Sequence, residues 1–214
     1  MDDNSLPQTV SNVKIGSLAP DFTARTTRGP LTLSALRGRW VVLFSHPADF
    51  TPVCTSEFLA FAQAQPQFEA LNCALVGLSI DSLPSHIAWL EAIRRAFGVR
   101  VDFPLIEDPS MAIARAYGML DDSNQDSGTV RATFIIAPDG IIQAILWYPL
   151  SIGRSVNEIL RSVAALQRAS QGDALTPEGW QPGEDVLCPL AACQADIAEN
   201  EETWFHVLKK DRPV

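Results

Sequence analysis

The chain has 214 residues, 47% of them hydrophobic and 19% charged, which suits one domain of generous size or one domain with a tail. A net charge of −9 with no stripe of Lys and Arg argues against nucleic acid as a partner, because phosphate contacts need clustered cations. The N-terminal MDDNSLPQTVSNVKIG lacks the apolar stretch of a secretory signal, no run is long enough to span a membrane, and four cysteines are too few for a disulfide scaffold, so a reducing, cytoplasmic setting is expected.

In chain order, DFTARTTRGPLTL (21–33) reads as an amphipathic β-hairpin around Gly29-Pro30. A turn at Gly38 introduces the strand WVVLF (40–44), and a helix is expected from Pro52 to about Gln65, stopped by Pro66. ALVGLSI (74–80) is a continuous apolar run fit for a strand buried on both faces. LPSHIAWLEAIRRAFG (83–98) reads as a helix with Pro84 in its first turn, Ile87, Leu90, Ile93 and Phe97 on one face, and Gly98 closing it. DFPLI (102–106) reads as a short strand, and Ser110–Tyr117 as a short helix ended by Gly118. RATFIIA (131–137) and IIQAILWY (141–148) flank Pro138-Asp139-Gly140, a hairpin signal. Ser155 and Glu158 make a capping box for a helix to about Ala169.

This order implies an α/β sandwich with a central mixed sheet over residues 12–170. Beyond Gly172 the composition turns to Pro, Gly and acid, so residues 171–214 read as an arm or small subdomain.

The chemistry concentrates in HPADFTPVCTSEF (46–58). Thr51 suits a helix N-cap and Pro52 the first helical position, which puts Cys54 third in the helix. There its sulfur faces unpaired backbone N–H groups and the positive end of the helix dipole, conditions that depress a thiol pKa. Taken alone, Cys54 reads first as a small, inert, buried apolar residue, and it is the strand-loop-helix setting that favours a reactive one.

HPADFTPVCTSEF resembles the active-site segment of the peroxiredoxins, whose pattern runs Pro, three residues, Thr or Ser, two residues, Cys; Pro47, Thr51 and Cys54 match it in place. The surrounding LFSHP…FTPVCT is similar to the one-cysteine subfamily, and the likeness continues through GLSIDS (77–82), FPLIEDPS (103–110), YGML (117–120), VRATFIIAPDG (130–140) and GRSVNEILR (153–161). The resemblance implies a thioredoxin-like α/β sandwich and a thiol-dependent peroxidase. It also implies that Cys54 attacks hydrogen peroxide or an organic hydroperoxide and becomes a sulfenic acid, with no metal or other cofactor. On the same basis Arg131 aligns with the active-site arginine, which would hold both the thiolate and a peroxide oxygen. Thr51 would offer its hydroxyl to the peroxide, and Pro47 would shield the sulfur.

His46 matches a histidine near the sulfur in that subfamily, with a satisfied histidine at a strand end as the equal alternative. Glu57, one turn beyond Cys54, reads as a structural ion-pair partner with Arg131 as one use for it, and His86 carries no special signal. Cys73 reads as a buried, inert thiol.

Cys188 and Cys193 stand as resolving cysteines for Cys54 or as plain thiols of the arm; C-x₄-C with the distant His206 lacks the ligand set of a zinc site. The long-form resolving segment of some relatives reads TWFHVLKK here, with His206 where that cysteine would fall. Two other functions stay open on residues alone: a redox sensor or holdase oligomer switched by Cys54, and a cysteine hydrolase. An unidentified thiol would serve as reductant. The expected assembly is a two-fold homodimer paired through IIQAILWYPL, with the arm from Asp173 wrapping the partner and rings of dimers as the next level.

Overall fold

The computed structural model describes residues 13–120, 129–190 and 203–211. The chain divides into two compact units, Met1–Val156 and Asn157–Val214. In the first, seven strands form one sheet in the order β2-β1-β5-β4-β3-β6-β7. The strands are β1 (Thr23–Thr26), β2 (Gly29–Thr32), β3 (Trp40–Ser45), β4 (Cys73–Ser79), β5 (Leu105–Glu107), β6 (Arg131–Ile136) and β7 (Ile142–Tyr148). Parallel pairing of β3 with β4 and of β4 with β5, and antiparallel pairing elsewhere, make it the mixed sheet expected from the alternation of elements.

β3 and β6 are buried along their whole lengths, which explains the continuous apolar run of β3 and leaves Arg131 and Thr133 of β6 buried as well. Along β3, Val41 and Leu43 enter a core with Val76 and Leu78 of β4, Ile106 of β5 and Phe134 of β6, closed by Ile113 and Ala114 of the short helix α3 (Ala112–Ala116) and by Tyr117. Phe44 points the other way and stacks on Phe61 of α1 (Pro52–Ala70), with Phe58 and Phe103 edge-on to it. β6 and β7 close on the Pro138-Asp139-Gly140 turn. Gly140 has φ +80°, the left-handed conformation that favours glycine.

Three sequence expectations need correction. Helix α1 runs through Pro66 to Ala70, because Phe61, Ala64 and Phe68 bury one face on both sides of the proline and outweigh the lost hydrogen bond. In α2 (Leu83–Phe97), Ile87 and Phe97 are more than half exposed, and the buried face is His86, Trp89 and Ile93. Ile93 is buried as expected, but the rest of the stripe is rotated toward His86 and Trp89 and away from Ile87 and Phe97. The strand placed at 102–106 begins at Leu105.

The second unit holds the rest of α4 (Val156–Ala169) and a two-stranded ribbon of β8 (Val186–Leu187) and β9 (Leu208–Lys209). It is tied by Arg168, which donates to Asp211 at 2.7 Å and to Asp173 at 2.6 Å.

Candidate active site

Cys54 is the third residue of α1, entered from β3 through the 46–51 turn, and its side chain is fully buried. Thr51 has the extended backbone of an N-cap and Pro52 opens the helix as expected, but the Thr51 hydroxyl does not cap it. Its hydrogen goes back to the Ala48 carbonyl at 2.9 Å. The hydroxyl oxygen is thereby left as an acceptor. Pro47 is partly buried in the same turn.

Opposite the sulfur stands Arg131, the first residue of β6, 77 positions away in sequence. Its Nη1 donates to Cys54 Sγ at 3.3 Å and to Glu57 Oε2 at 2.8 Å. Its Nε and Nη2 both donate to the Leu150 carbonyl, at 3.0 and 2.9 Å, so the guanidinium plane is fixed before any substrate arrives. Glu57 follows Cys54 by three residues on α1, the spacing that puts two side chains on one helical face.

A second guanidinium completes the cluster. Arg154 grips the Glu57 carboxylate with Nε on Oε1 at 2.9 Å and Nη2 on Oε2 at 2.7 Å, and adds its backbone N–H to Oε1 at 2.8 Å. Its Nη1 donates to the Ala132 carbonyl at 2.9 Å, and its guanidinium carbon lies 5.2 Å from the Phe44 ring centroid. Burial alone would raise the Glu57 pKa, but the Arg154 hydrogen bonds and the charge of both arginines hold it below the ordinary carboxylate value. Glu57 is thus an ion-pair partner and not a proton acceptor.

The charge balance of this pocket is informative. Two buried guanidiniums face one carboxylate, leaving one positive charge uncompensated in a medium where isolated charge is costly. A thiolate on Cys54, already in contact with Arg131, brings the cluster to neutrality.

Beside this pocket lies a second buried polar group. His46, at the end of β3, sets its Nε2 2.9 Å from Asp49 Oδ1, while its Nδ1 has no hydrogen-bond partner. The rings of Phe58 and Trp89 pack against it at 4.9 and 5.2 Å between centroids. His86, which carried no signal in the sequence, is fully buried with Nδ1 2.8 Å from Asp49 Oδ2 and Nε2 3.1 Å from the Ile106 carbonyl.

Thus Cys54, Arg131 and Glu57 come together as their spacing on α1 and β6 permits, and the partner of His46 is Asp49. Arg154, Asp49 and His86 were missed. Arg154 sits inside the quoted GRSVNEILR block, but nothing local ties it to a glutamate 97 residues earlier. His86 and Trp89 share one helical face with Ile93 at i, i+3 and i+7 spacing, which marks burial of His86 but names no partner for it. Cys73 begins β4 fully enclosed, and burial pushes its thiol up to about 12. Cys188 is a free, half-buried thiol, and Cys193 lies outside the described residues.

Residues 15–145 match the AhpC/TSA family. The chain is 51% identical over 176 residues to peroxiredoxin 2 of Caldanaerobacter subterraneus subsp. tengcongensis, covering 82% of this chain and 80% of that one. It is 45% identical to peroxiredoxin 2 of Picrophilus torridus, over 90% of this chain and 97% of the relative. Among solved structures, a yeast mitochondrial 1-Cys peroxiredoxin, studied for thiol resolution via glutathione/thioredoxin systems, superposes with a TM-score of 0.84 at 37% identity, covering 93% of this chain and all of that one. The C45S mutant of peroxiredoxin 6 of Arenicola marina gives 0.80 at 34%, covering 88% and 89%. The fold is therefore thioredoxin-like, and a guanidinium-held cysteine at a helix N-terminus on that fold has the relatives its geometry leads one to expect. The chain belongs to the AhpC/TSA family and is a peroxiredoxin, a thiol-dependent peroxidase.

Proposed function

We propose that Cys54 is the residue that attacks the peroxide and that Arg131 and Thr51 hold the peroxide against it. The thiolate sulfur bonds to one peroxide oxygen, the O–O bond breaks, and the departing oxygen takes a proton to leave as water or an alcohol. The sulfur is oxidised to a sulfenic acid as the peroxide is reduced. Negative charge spreads from sulfur onto both oxygens during the step. Arg131, anchored on Leu150 and Glu57, needs no rearrangement to meet it. The Thr51 oxygen, its own hydrogen spent on Ala48, accepts the hydrogen of the attacked peroxide. Pro47 walls the pocket, and His46 lines it on the side of Phe58.

The observation that carries this reading is the 3.3 Å contact of Arg131 Nη1 with the Cys54 sulfur inside a cluster that only a thiolate neutralises. Intact-mass analysis after one equivalent of hydrogen peroxide tests it: a single added oxygen mapping to Cys54, absent in Cys54→Ser, is the expected result. Oxidation elsewhere with Cys54 untouched overturns it.

The sulfenic acid is returned to thiol by an external thiol, as one-cysteine chemistry requires. Non-reducing peptide maps of the oxidised protein then contain no Cys54–Cys188 or Cys54–Cys193 link, and finding either makes that cysteine the resolving one. We further propose a homodimer, the protein acting in a reducing cytoplasm. β7 lies at the end of the sheet with Trp147 about half exposed, a surface suited to pairing with its own copy, and residues 171–214 would serve as a dimerisation arm. Sedimentation of the wild type and of Trp147→Glu tests the pairing; a monomeric wild type would end it.

A further inference from the structure

We propose that His86 is a positioning residue for peroxide reduction: a buried imidazolium on α2 that clamps Asp49 and so holds the 46–51 turn, from which Pro47, Thr51 and Cys54 are presented. The proposal rests on the role given to Cys54 above, and it adds a residue no sequence feature of the active-site segment contains.

Hydrogen-bond arithmetic decides the protonation state. The Ile106 carbonyl can only accept, so His86 Nε2, 3.1 Å from it, must carry a hydrogen. The other ring nitrogen lies 2.8 Å from Asp49 Oδ2 and 3.1 Å from Oδ1. Burial pushes the Asp49 carboxyl up, but hydrogen bonds from His46 and His86 outweigh it and hold the group ionised, well below the usual carboxylate range. An ionised carboxylate accepts, so Nδ1 must carry a hydrogen as well. A ring with both nitrogens protonated is an imidazolium. His46 is different: burial lowers its pKa and keeps it neutral, with its hydrogen on Nε2 toward Asp49 and its Nδ1 lone pair unpartnered.

The charged groups facing His86 agree with a cation there. Asp49 comes from the turn; Glu107 comes from β5, its carboxylate held by Leu83 N–H and Arg25; and His46 at the end of β3 is uncharged. Asp81, in the turn before α2, accepts from the Asp49 N–H at 2.9 Å. His46 feels two positive charges, His86 beside it and Arg154 beyond, and both lower its pKa further.

The consequence for the reaction is mechanical. Asp49 is held through its backbone N–H by Asp81 and through its carboxylate by His46, His86 and Ser85. The next residue, Phe50, sits at φ +57°, a left-handed conformation that a bulky side chain adopts only when its surroundings impose it. One residue further, Thr51 takes the N-cap position of α1. Loss of the His86 proton removes one of the two donors to Asp49 Oδ2, leaving Ser85 alone there, so the buried carboxylate is short of one partner and the strained Phe50 is free to relax. The Thr51 hydroxyl and the Cys54 sulfur then lose their register with Arg131.

The test combines kinetics with side-chain NMR on the full, reduced chain. In the wild type, the rate of Cys54 oxidation by hydrogen peroxide falls on the alkaline side with the same midpoint at which the ¹⁵N shifts of His86 report loss of its proton, and amide exchange of residues 48–51 accelerates across that midpoint. His86→Gln, which donates a hydrogen bond but carries no charge, lowers the rate by about tenfold or more at neutral pH and abolishes the alkaline fall. Thiolate absorbance, read separately, shows that Cys54 still ionises in that variant. A neutral His86 at pH 7 overturns the proposal, as does a folded His86→Gln with wild-type rate and pH profile. Should that variant not fold, the wild-type coincidence of the NMR and kinetic midpoints decides alone. If the wild type consumes no peroxide at all, the assignment of Cys54 fails; the NMR and exchange measurements still decide whether His86 is the cation that holds the turn.

Discussion

Arg154 binds both oxygens of Glu57 at 2.9 and 2.7 Å, and this fork sets where Arg131 stands. Glu57 Oε2 is shared between the two arginines, so the carboxylate works as a hinge pin between the Arg154 guanidinium and the Arg131 guanidinium that touches the Cys54 sulfur. A lysine in place of Arg154 would keep the charge and lose the fork. Arg154→Lys is expected to reduce the rate of Cys54 oxidation by about ten- to a hundredfold, as a displacement of Arg131 of order one ångström would. Stopped-flow fluorescence with hydrogen peroxide measures it, and an unchanged rate would remove Arg154 from the account.

Truncation has a different cost. Arg154→Ala strands a buried carboxylate beside one guanidinium, and breaking a buried pair in this way costs about 3–5 kcal/mol of stability. Chemical denaturation of wild type and variant gives the difference directly. A loss under about 1 kcal/mol would mean that Glu57 finds water or another donor.

Arg131→Lys should lower the rate by about a hundredfold or more, because the preorganised donor at the Cys54 sulfur is lost. The same substitution should leave the affinity for the thiol reductant unmoved. A matched fall in both would point to general collapse of the pocket instead.

Stability should fall with acid. Glu57 and Asp49 both hold their protons less tightly in the folded chain than in the unfolded one, Glu57 through Arg154 and Asp49 through its histidines, each against an opposing effect of burial. As pH drops through the ordinary carboxylate range near ~4, the unfolded chain therefore takes up protons that the folded chain does not, and the equilibrium shifts toward unfolding. Denaturation midpoints from pH 7 to pH 3 should decline, and the decline should be shallower in Glu57→Gln. A midpoint flat with pH contradicts the buried-carboxylate description.

Pro66 lies on the exposed side of α1, inside the helix. Pro66→Ala restores a backbone N–H and removes a ring from the turn before it. It should stabilise the protein by about 1–3 kcal/mol, the upper figure being the propensity difference and the lower allowing for greater freedom of the unfolded chain. A destabilised variant would show that the ring packs usefully.

Cys73 and Cys188 should separate under alkylation. Burial holds the Cys73 thiol up at about 12, so a reagent at pH 8 meets a protonated, enclosed sulfur, whereas Cys188 is half-buried. Peptide mapping after brief treatment should find Cys188 modified and Cys73 intact.

Much of this protein is written locally. The strand at 40–45, the helix beginning at Pro52 and the placement of Cys54 in its first turn follow from hydrophobic runs, a proline and a threonine within a few residues of one another. So does the β6–β7 hairpin, whose turn needs Gly140. Such features depend on near-neighbour sterics and periodicity, and a single chain displays them without its fold. The length of α1 past Pro66 and the buried face of α2 did not follow, because a helix takes its end and its orientation from what it packs against, and local propensity is the weaker force there. The electrostatics were the least legible part. Glu57 with Arg154 and Asp49 with His86 are pairs separated by 97 and 37 positions, and Arg131 with Cys54, 77 positions apart, was legible only through the family resemblance. Coulombic attraction acts through space and is strongest where water is excluded, so only the closing of β3, β6, α1 and α2 around one buried volume decides which charges meet.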